Sequence, residues 1–360
     1  MKLPSLVIGD ITAKVPIIQG GMGVGISGWK LSSAVSNEGG IGVISGVQIG
    51  YREPDFETNT VEANKRALRK EIRKARELSP NGILGVNLMV AVSDYKELIE
   101  VCIEEKVDII ISGAGLPLRL PEFTENSSIK IAPIVSSGKA ARIITKQWIR
   151  KHLRLPDLVV VEGPEAGGHL GFSKEELLEG KIVLEDIVKD VIDVMKPFEK
   201  EYNKKIPVVA AGGIYTGEDI ARFLKLGASG VQMATRFVAT EECDANINFK
   251  KAYVNSTKKG ISIIQSPVGM PGRAIRNDFI DKMESKRLAP IKCYNCLKKC
   301  DPKTAPYCIT KALINAVNGE IEDALIFTGS SSYRIDRIVT VKELMQELIL
   351  QAEKSLEDLN

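Results

Sequence analysis

A chain of 360 residues is long enough for one large α/β domain with a smaller additional unit. Its formal net charge is only +3 and its lysines and arginines are scattered, which argues against a nucleic-acid-binding or membrane-surface protein. No apolar stretch has the length of a bilayer span and the amino terminus lacks a secretory pattern, so we expect a cytoplasmic protein. In that compartment the six cysteines stay reduced unless they hold a metal.

The first two thirds of the chain alternate short apolar runs with amphipathic segments. Eight runs rich in β-branched residues predict strands buried on both faces, at residues 15–19, 41–45, 83–88, 107–112, 130–135, 157–162, 206–211 and 230–234. The amphipathic segments predict helices at residues 28–37, 61–78, 94–105, 138–152, 183–200 and 217–226. This alternation indicates an α/β fold, a TIM (β/α)8 barrel with a smaller C-terminal cap region.

A doubly wound dinucleotide-binding sheet is the alternative fold, because "GVGISG" at residues 23–28 follows a strand. That fingerprint also requires an acidic residue at the end of the second strand to hold a ribose. The second run here ends in "VISG", without an acid, so we set this alternative aside.

Three regions follow from where the strand rhythm stops. Residues 1–245 form the predicted barrel, and residues 246–340 form a cap region that contains "SPVGMPGRAIRN" and a cysteine cluster. Residues 341–360 form a C-terminal helix that we expect to pack on the barrel, with Thr340 as its N-cap.

Glycine and small polar residues follow nearly every predicted strand, at the barrel end where active sites lie. Glycine lets the backbone approach a ligand closely, so this distribution favours a large flat ligand across the barrel mouth. The loops after strands seven and eight predict a phosphate site, formed by a Gly-Gly turn, the Thr235 hydroxyl and the positive Arg236. Thr216 is the predicted N-cap of the helix after strand seven.

Four blocks carry a family resemblance: "PIIQGGMGVGIS", "EGPEAGGHLG", "IPVVAAGGI" and "VQMATRFVAT". Together, across residues 10–245, the chain resembles the FMN-dependent nitronate monooxygenases, formerly called 2-nitropropane dioxygenases, and the related flavin-dependent enoyl-ACP reductases. The resemblance implies FMN as cofactor. It implies that the cofactor is bound by Gly20, Gly21, Met22, Asn87, Lys139, Glu162, Gly167, Gly168, Ala211, Gly212, Gly213, Gln232, Met233, Ala234 and Thr235.

His169 is one of only two histidines and lies in the glycine-rich stretch after strand six. An imidazole titrates near neutral pH, which suits proton transfer at a carbon next to a flavin. The resemblance implies that His169 is the catalytic base toward neutral nitroalkanes. Glu162 and Glu165 lie in the same stretch and are candidate orienting partners. The other histidine, His152, ends a predicted helix, where the helix dipole favours a cation, and we expect a structural role for it.

Cys293, Cys296, Cys300 and Cys308 have the spacing C-x2-C-x3-C-x7-C. Four thiolates at this spacing are able to surround one structural zinc ion or one iron–sulfur cluster. A reduced cluster without metal and a set of redox disulfides are the alternatives. Cys102 and Cys243 lie outside this cluster, and we expect them in the core.

The sequence therefore predicts an FMN-dependent oxidoreductase that oxidises small alkyl nitronates with O2 to a carbonyl compound and nitrite. One alternative keeps the flavin and uses NAD(P)H to reduce an enoyl thioester or a quinone. A second alternative is a regulatory barrel whose cysteine cluster binds metal. We expect a small-molecule substrate and no nucleic-acid or membrane partner, and the sequence is compatible with a homo-oligomer.

Overall fold

The computed structural model describes residues 2–358. The barrel strands are β3 (Ile17–Gln19), β4 (Ile41–Ser45), β5 (Ile83–Met89), β6 (Ile109–Gly113), β7 (Lys130–Val135), β8 (Val159–Glu162), β10 (Val208–Ala211) and β11 (Gly230–Met233). They are all parallel and close into a barrel in the order β3-β4-β5-β6-β7-β8-β10-β11. The predicted TIM barrel is thus confirmed.

A short hairpin precedes the barrel and was not predicted from the sequence. Its strands are β1 (Leu6–Ile8) and β2 (Ile11–Ala13), paired antiparallel. Leu6 and Ile8 are fully buried in one cluster with Ile18 and Ile109 from inside the barrel. The barrel interior is therefore a packed core rather than a channel.

The helices around the barrel are α1 (Trp29–Asn37), α2 (Thr60–Leu78), α3 (Tyr95–Glu104), α4 (Leu120–Phe123), α5 (Gly138–His152), α6 (Lys174–Glu179), α7 (Leu184–Tyr202), α8 (Gly217–Leu226) and α9 (Thr235–Val238). The six helices predicted from periodicity agree with the structure within two residues at each end. The short helices α4, α6 and α9 were missed because one or two turns carry no recognisable period. None of the helices between residues 2 and 358 is long and apolar enough to cross a membrane.

The cap region contains α10 (Ile247–Val254), β12 (Ile261–Gln265), β13 (Pro271–Ile275), α11 (Asp278–Ser285) and α12 (Ile309–Asn318), with 3-10 turns at Lys258–Gly260, Ile321–Asp323 and Ser332–Arg334. β12 and β13 form an antiparallel hairpin. β13 also pairs with β9 (Gly168–His169), a two-residue strand in the loop after β8. The cap therefore lies over the carboxyl ends of the barrel strands.

The last helix, α13 (Val341–Glu357), packs on the outside of the barrel. Thr340 caps it as predicted, in a capping box with Glu343. Leu344, Met345 and Leu348 are fully buried in the main core, which also contains Ile220 of α8. Residues 359 and 360 are the last two of the predicted C-terminal helix and lie outside the described residues, as does residue 1.

Candidate active site

A cavity of about 450 Å³ lies at the carboxyl ends of the barrel strands, under the cap. This is the size of pocket that binds small molecules and cofactors. Nearly all of the predicted site residues line it, namely Gly20, Gly21, Met22, Asn87, Glu162, Gly167, Gly168, His169, Ala211, Gly212, Gly213, Gln232, Met233, Ala234 and Thr235. The loops that the sequence singled out therefore meet at one cavity.

Lys139 is the exception among the predicted site residues. It is the second residue of α5, and its side chain is exposed to solvent rather than part of the cavity lining. Ser136, Ser137 and Ala140 line the cavity at this loop instead. Successive residues of a helix point about 100° apart, so Ala140 faces inward while Lys139 turns outward.

Three glycines line the cavity at positions where the structure disfavours a side chain. Gly212 and Gly213 have φ values of +95° and +81°, in the left-handed region that disfavours other residues. A Cβ atom at Gly21 would overlap the Cβ of Asn87. These positions let a ligand contact the main chain directly.

The predicted phosphate site agrees only in part with the structure. Thr235 begins α9 and lines the cavity, and Thr216 caps α8 in a capping box with Asp219. Arg236, however, does not line the cavity. Its guanidinium donates to both carboxylate oxygens of Glu347 at 3.0 Å and to the carbonyl of Tyr215 at 3.1 Å. Its charge is therefore engaged with α13, and the expectation that it adds to the phosphate site is wrong.

His169 is held by residues of the cap. Its Nε2 atom lies 2.7 Å from the Oγ of Ser266, and its ring meets the ring of Phe327 edge-on at 4.9 Å between centroids. Burial lowers the pKa of His169 to about 4. The imidazole is thus neutral at pH 7.

Ser266 and Phe327 were not identified as site residues from the sequence. Ser266 lies in the motif "SPVGMPGRAIRN", which drew attention to the cap but not to this contact. The hydrogen bond joins residues 97 positions apart and depends on the pairing of β9 with β13. The side chain that meets Nε2 of the imidazole is Ser266 of the cap, so the hydrogen bond at this nitrogen does not involve Glu162 or Glu165.

The two glutamates lie on the barrel side of the same cavity. Glu162 ends β8, and burial raises its pKa to about 7. Glu165 lines the cavity at the turn that follows. A Cβ atom on Gly213 would overlap the Glu165 carboxylate, which places this side chain beside the Gly-Gly turn.

Arg273 is a further residue that sequence reasoning missed. It lies on β13, is 9% exposed, and donates to the carbonyls of Pro164 at 2.8 Å and Ala166 at 2.5 Å. Burial lowers its pKa. A buried guanidinium that binds two carbonyls fixes the loop leading into Gly167, Gly168 and His169.

The structure does not support the metal hypothesis for the cysteine cluster. Among residues 2–358, no group of three or more His, Cys, Asp or Glu side chains is arranged to hold a metal ion. Cys293 is exposed and Cys296 is buried in the main core, where burial raises its pKa to about 11 and disfavours the thiolate that a metal requires. Cys308 instead occupies the N-cap position of α12. Cys102 and Cys243 are buried, as predicted.

The cysteine segment has a different role, as one side of the cavity. The N–H of Ser93 donates to the carbonyl of Cys296 at 3.1 Å, and the N–H of Lys298 donates to the carbonyl of Ala91 at 3.0 Å. These bonds attach the segment to the loop after β5. Cys296 and Leu297 then line the cavity.

Comparison with known proteins agrees with this architecture. The family model described as "Nitronate monooxygenase" matches residues 5–351. A probable nitronate monooxygenase of Staphylococcus haemolyticus is 28% identical, over 96% of both chains. The structure of FabK from Thermotoga maritima superimposes with a TM-score of 0.74 at 28% identity, covering 96% of this chain and 94% of that one.

A further relative differs in length. A (3aS,4S,5R,7aS)-5-hydroxy-7a-methyl-1-oxo-octahydro-1H-indene-4-carboxyl-CoA dehydrogenase of Rhodococcus jostii is 28% identical over 75% of this chain, and the match spans 65% of that relative's length. The family match covers the barrel, the cap and most of α13. The chain therefore belongs to the nitronate monooxygenase family of oxidoreductases.

Proposed function

We propose that the protein is an FMN-dependent nitronate monooxygenase, which oxidises alkyl nitronates with O2 to a carbonyl compound and nitrite. The observation that carries this proposal is the position of His169, neutral and half-buried, in the cavity that the glycine loops surround. The family match supports the same reaction class.

The cavity fits a flavin mononucleotide at its barrel side. The left-handed turn at Gly212 and Gly213 has no room for side chains, because a Cβ atom on either would press on Ala166 or Glu165. Thr235 adds a hydroxyl beside the first amides of α9, which lack acceptors within the helix. Backbone amides and a hydroxyl of this kind suit a phosphate group.

The remaining predicted residues would hold the ring system. Asn87 projects from β5 into the cavity, where its amide can hydrogen-bond a ring edge. The Gly21 backbone beside it lets a flat ring approach closely. When bound, FMN would supply the electron acceptor for the nitronate and pass the electrons to O2.

His169 would take a proton from the carbon of a neutral nitroalkane and so generate the nitronate within the site. Its low pKa keeps the imidazole unprotonated at neutral pH. Ser266 and Phe327 fix the ring, which leaves one orientation for proton transfer. A nitronate supplied as the anion needs no such base.

Anaerobic flavin reduction tests this function. Purified protein, loaded with FMN, is mixed with butyl nitronate in one experiment and with NADPH in another, and flavin absorbance is followed. We expect nitronate to bleach the flavin, NADPH alone to leave it oxidised, and nitrite to form once air is admitted. Rapid bleaching by NADPH without nitrite formation would instead favour the enoyl thioester or quinone reductase. A protein that cannot be loaded with FMN would contradict both.

A further inference from the structure

The loop after β3 joins the barrel to α1 and forms one side of the cavity. We call residues 20–27 the ring loop, because the proposed function places the flavin ring against the backbone of Gly21. Met22, Val24 and Ile26 of this loop also line the cavity. The contacts that hold the ring loop therefore shape the cavity for its ligand.

The ring loop ends at a helix that has no cap of its own. Gly28 is the N-cap residue of α1 and offers no side-chain acceptor, and the first turn of this helix contains no acidic residue. The first amides of a helix have no acceptors within it and are usually bound by a side chain nearby in the sequence. In α1 these amides find their acceptors elsewhere in the fold.

Asp244 supplies most of these acceptors, from 216 positions further along the chain. Its Oδ2 accepts the N–H of Gly28 at 2.8 Å and the N–H of Leu31 at 3.3 Å. Its Oδ1 accepts the N–H of Lys30 at 3.4 Å. One carboxylate thus binds three amides at the start of α1, where a negative charge also interacts favourably with the helix dipole.

Glu71 of α2 binds the other amide of this turn. Its Oε2 accepts the N–H of Trp29 at 2.7 Å. Burial raises the pKa of both Glu71 and Asp244, and their bonds to the amides of α1 lower it in part. A Cβ atom on Gly28 would press on both carboxyl groups, so they approach the helix this closely only because residue 28 has no side chain.

Asp244 also binds the ring loop through its main chain. Its N–H donates to the carbonyl of Ile26 at 3.1 Å, and the thiol of Cys243 approaches the same carbonyl at 3.5 Å. Asp244 therefore contacts the chain on both sides of Ser27, at Ile26 and at Gly28. A single residue fixes the end of the ring loop and the start of α1 together.

The segment that carries Asp244 begins at the opposite side of the cavity. It follows α9, whose first residue is Thr235, the residue that we assign to the flavin phosphate. The segment is itself fixed, because the N–H of Glu241 donates to the carbonyl of Val339 at 2.9 Å and the N–H of Val339 donates to the carbonyl of Ala239 at 3.1 Å. Asp244 thus connects the ring loop to the part of the barrel that begins at the phosphate side.

We infer that Asp244 is a positioning residue for the flavin, whose carboxylate holds the ring loop in the shape that the flavin ring requires. Glu71 assists through the one amide that it binds. This inference rests on the proposed function, which assigns FMN to the cavity. Neither carboxyl group lines the cavity, so neither is a catalytic residue.

Flavin binding to the flavin-free protein tests the inference. FMN and riboflavin are titrated separately, and each dissociation constant is obtained from the quenching of flavin fluorescence. Asp244→Asn keeps the shape of the side chain but replaces one acceptor oxygen by an NH2 group that faces a backbone N–H. We expect both dissociation constants to rise about tenfold, the effect of losing a charged helix cap. Glu71→Gln affects a single bond and should raise them less, and an unchanged affinity in Asp244→Asn would overturn the inference.

The comparison of the two flavins locates the effect. Riboflavin has the flavin ring but no phosphate, so Asp244→Asn should weaken riboflavin by the same factor as FMN. Thr235→Ala, at the phosphate side, should weaken FMN alone. A loss in Asp244→Asn that is confined to FMN would contradict the assignment to the ring loop.

Asp157→Asn is the control for a general loss of stability. Asp157 is 4% exposed, and its Oδ2 accepts the N–H of Ile131 at 2.9 Å, near the amino end of β7 and away from the cavity. We expect this variant to have a lower free energy of unfolding but unchanged dissociation constants for both flavins. Equal weakening in Asp157→Asn and Asp244→Asn would mean that the effect is general, and the inference would fail.

The same titrations separate this inference from the proposed reaction. If FMN binds but no nitronate yields nitrite, the reaction is wrong and the inference stands. If the wild-type protein and Asp244→Asn bind both flavins equally well, the inference fails alone. A wild-type protein that binds neither flavin would contradict the proposed function and the inference together.

Discussion

His169 has an environment that suits a base and not an acid. It contacts the uncharged residues Ser266 and Phe327, and burial holds its pKa near 4. An imidazole in such a site resists protonation over the physiological range. The residue is therefore unprotonated at the start of each turnover.

Replacing this imidazole should separate two kinds of substrate. We expect His169→Asn to lower kcat/KM for neutral nitroethane by about 100-fold or more, the usual contribution of a general base. Ethyl nitronate, which is already deprotonated, should retain its rate within about threefold because the base is not needed. Nitrite release from both forms of the substrate measures this.

Ser266→Ala serves as the comparison for that experiment. It keeps the base but removes its hydrogen-bond partner, so a smaller decrease confined to the neutral substrate is expected. Equal losses on nitroethane and ethyl nitronate in His169→Asn would mean that His169 positions flavin or substrate and transfers no proton.

The sequence predicted which loop residues lie at the cavity where their residue types are unusual for a loop. A histidine among glycines, an asparagine at a strand end and a Gly-Gly turn all pointed to the cavity that the structure contains. Ser266, Phe327 and Arg273 were not, because their role depends on the register between β13 and β9 rather than on any local pattern. The prediction that Lys139 lies at the cavity was wrong because adjacent helix positions point in different directions.

At the scale of elements, α13 is joined to the barrel by very close packing. The N–H of Gly217, at the start of α8, donates to Oε1 of Gln351 on α13 at 2.9 Å. A Cβ atom at Gly217 would overlap the backbone of Ala352 and Leu348. The two helices approach this closely only because residue 217 has no side chain.

Gly217→Ala should therefore separate α8 from α13. We expect the free energy of unfolding to fall by about 1–3 kcal/mol, the range for overpacking a close interface. Chemical denaturation followed by circular dichroism measures it. The neighbouring variant Glu218→Ala, at an exposed position on the same turn, should change stability by less than about 0.5 kcal/mol. A Gly217→Ala protein as stable as wild type would show that the helices can move apart freely.

The cysteine segment shows the limit of spacing as a predictor. Four cysteines within sixteen residues can form a metal site only if the segment folds around one centre. Here Leu297 bridges to Val92 and draws Cys296 into the core, while Cys308 starts α12 and Cys293 stays exposed. Contacts outside the segment thus decide its conformation, and the sequence of the segment does not contain them.

At the scale of the whole molecule, two buried groups give the stability of the protein opposite dependences on pH. Glu162 has its pKa raised from an ordinary 4.5 to about 7, so its contribution to stability is lost as the pH rises through 7. His169 has its pKa lowered from 6.5 to about 4, so its contribution is lost as the pH falls below 6.5. Between pH 6.5 and pH 8 the two effects still oppose each other, and the loss from Glu162 is the larger one.

The flavin-free protein should therefore lose stability between pH 6.5 and pH 8. We expect a decrease of about 1 kcal/mol from Glu162 in this window, because the unfolded chain ionises freely and the buried carboxyl does not. Glu162→Gln should remove that decrease, while Glu125→Gln, at an exposed carboxyl, should retain it. Urea unfolding at the two pH values gives the free energy of unfolding of each protein. The same change in that free energy in all three proteins would contradict a buried, protonated Glu162.

The barrel was predictable as a whole because its pattern repeats. Eight apolar runs predicted the strands, and six amphipathic segments predicted the helices, within two or three residues of their observed ends. The cap was recognised only as a region where that repeat stops, since β12, β13 and α12 are single elements without a period. Its pairing with β9 is a long-range contact that no local pattern encodes.

That pairing has a consequence for how such enzymes can be recombined. Gly168 and His169 are encoded with the barrel, yet they form the edge of a sheet whose other two strands are encoded about a hundred residues later. A chimera that joins this barrel to the cap of a relative would have to reproduce the register at Gly272 and the hydroxyl of Ser266 beside His169. A designed recombination of this chain should therefore keep residues 168–273 together, with its crossover points outside that range.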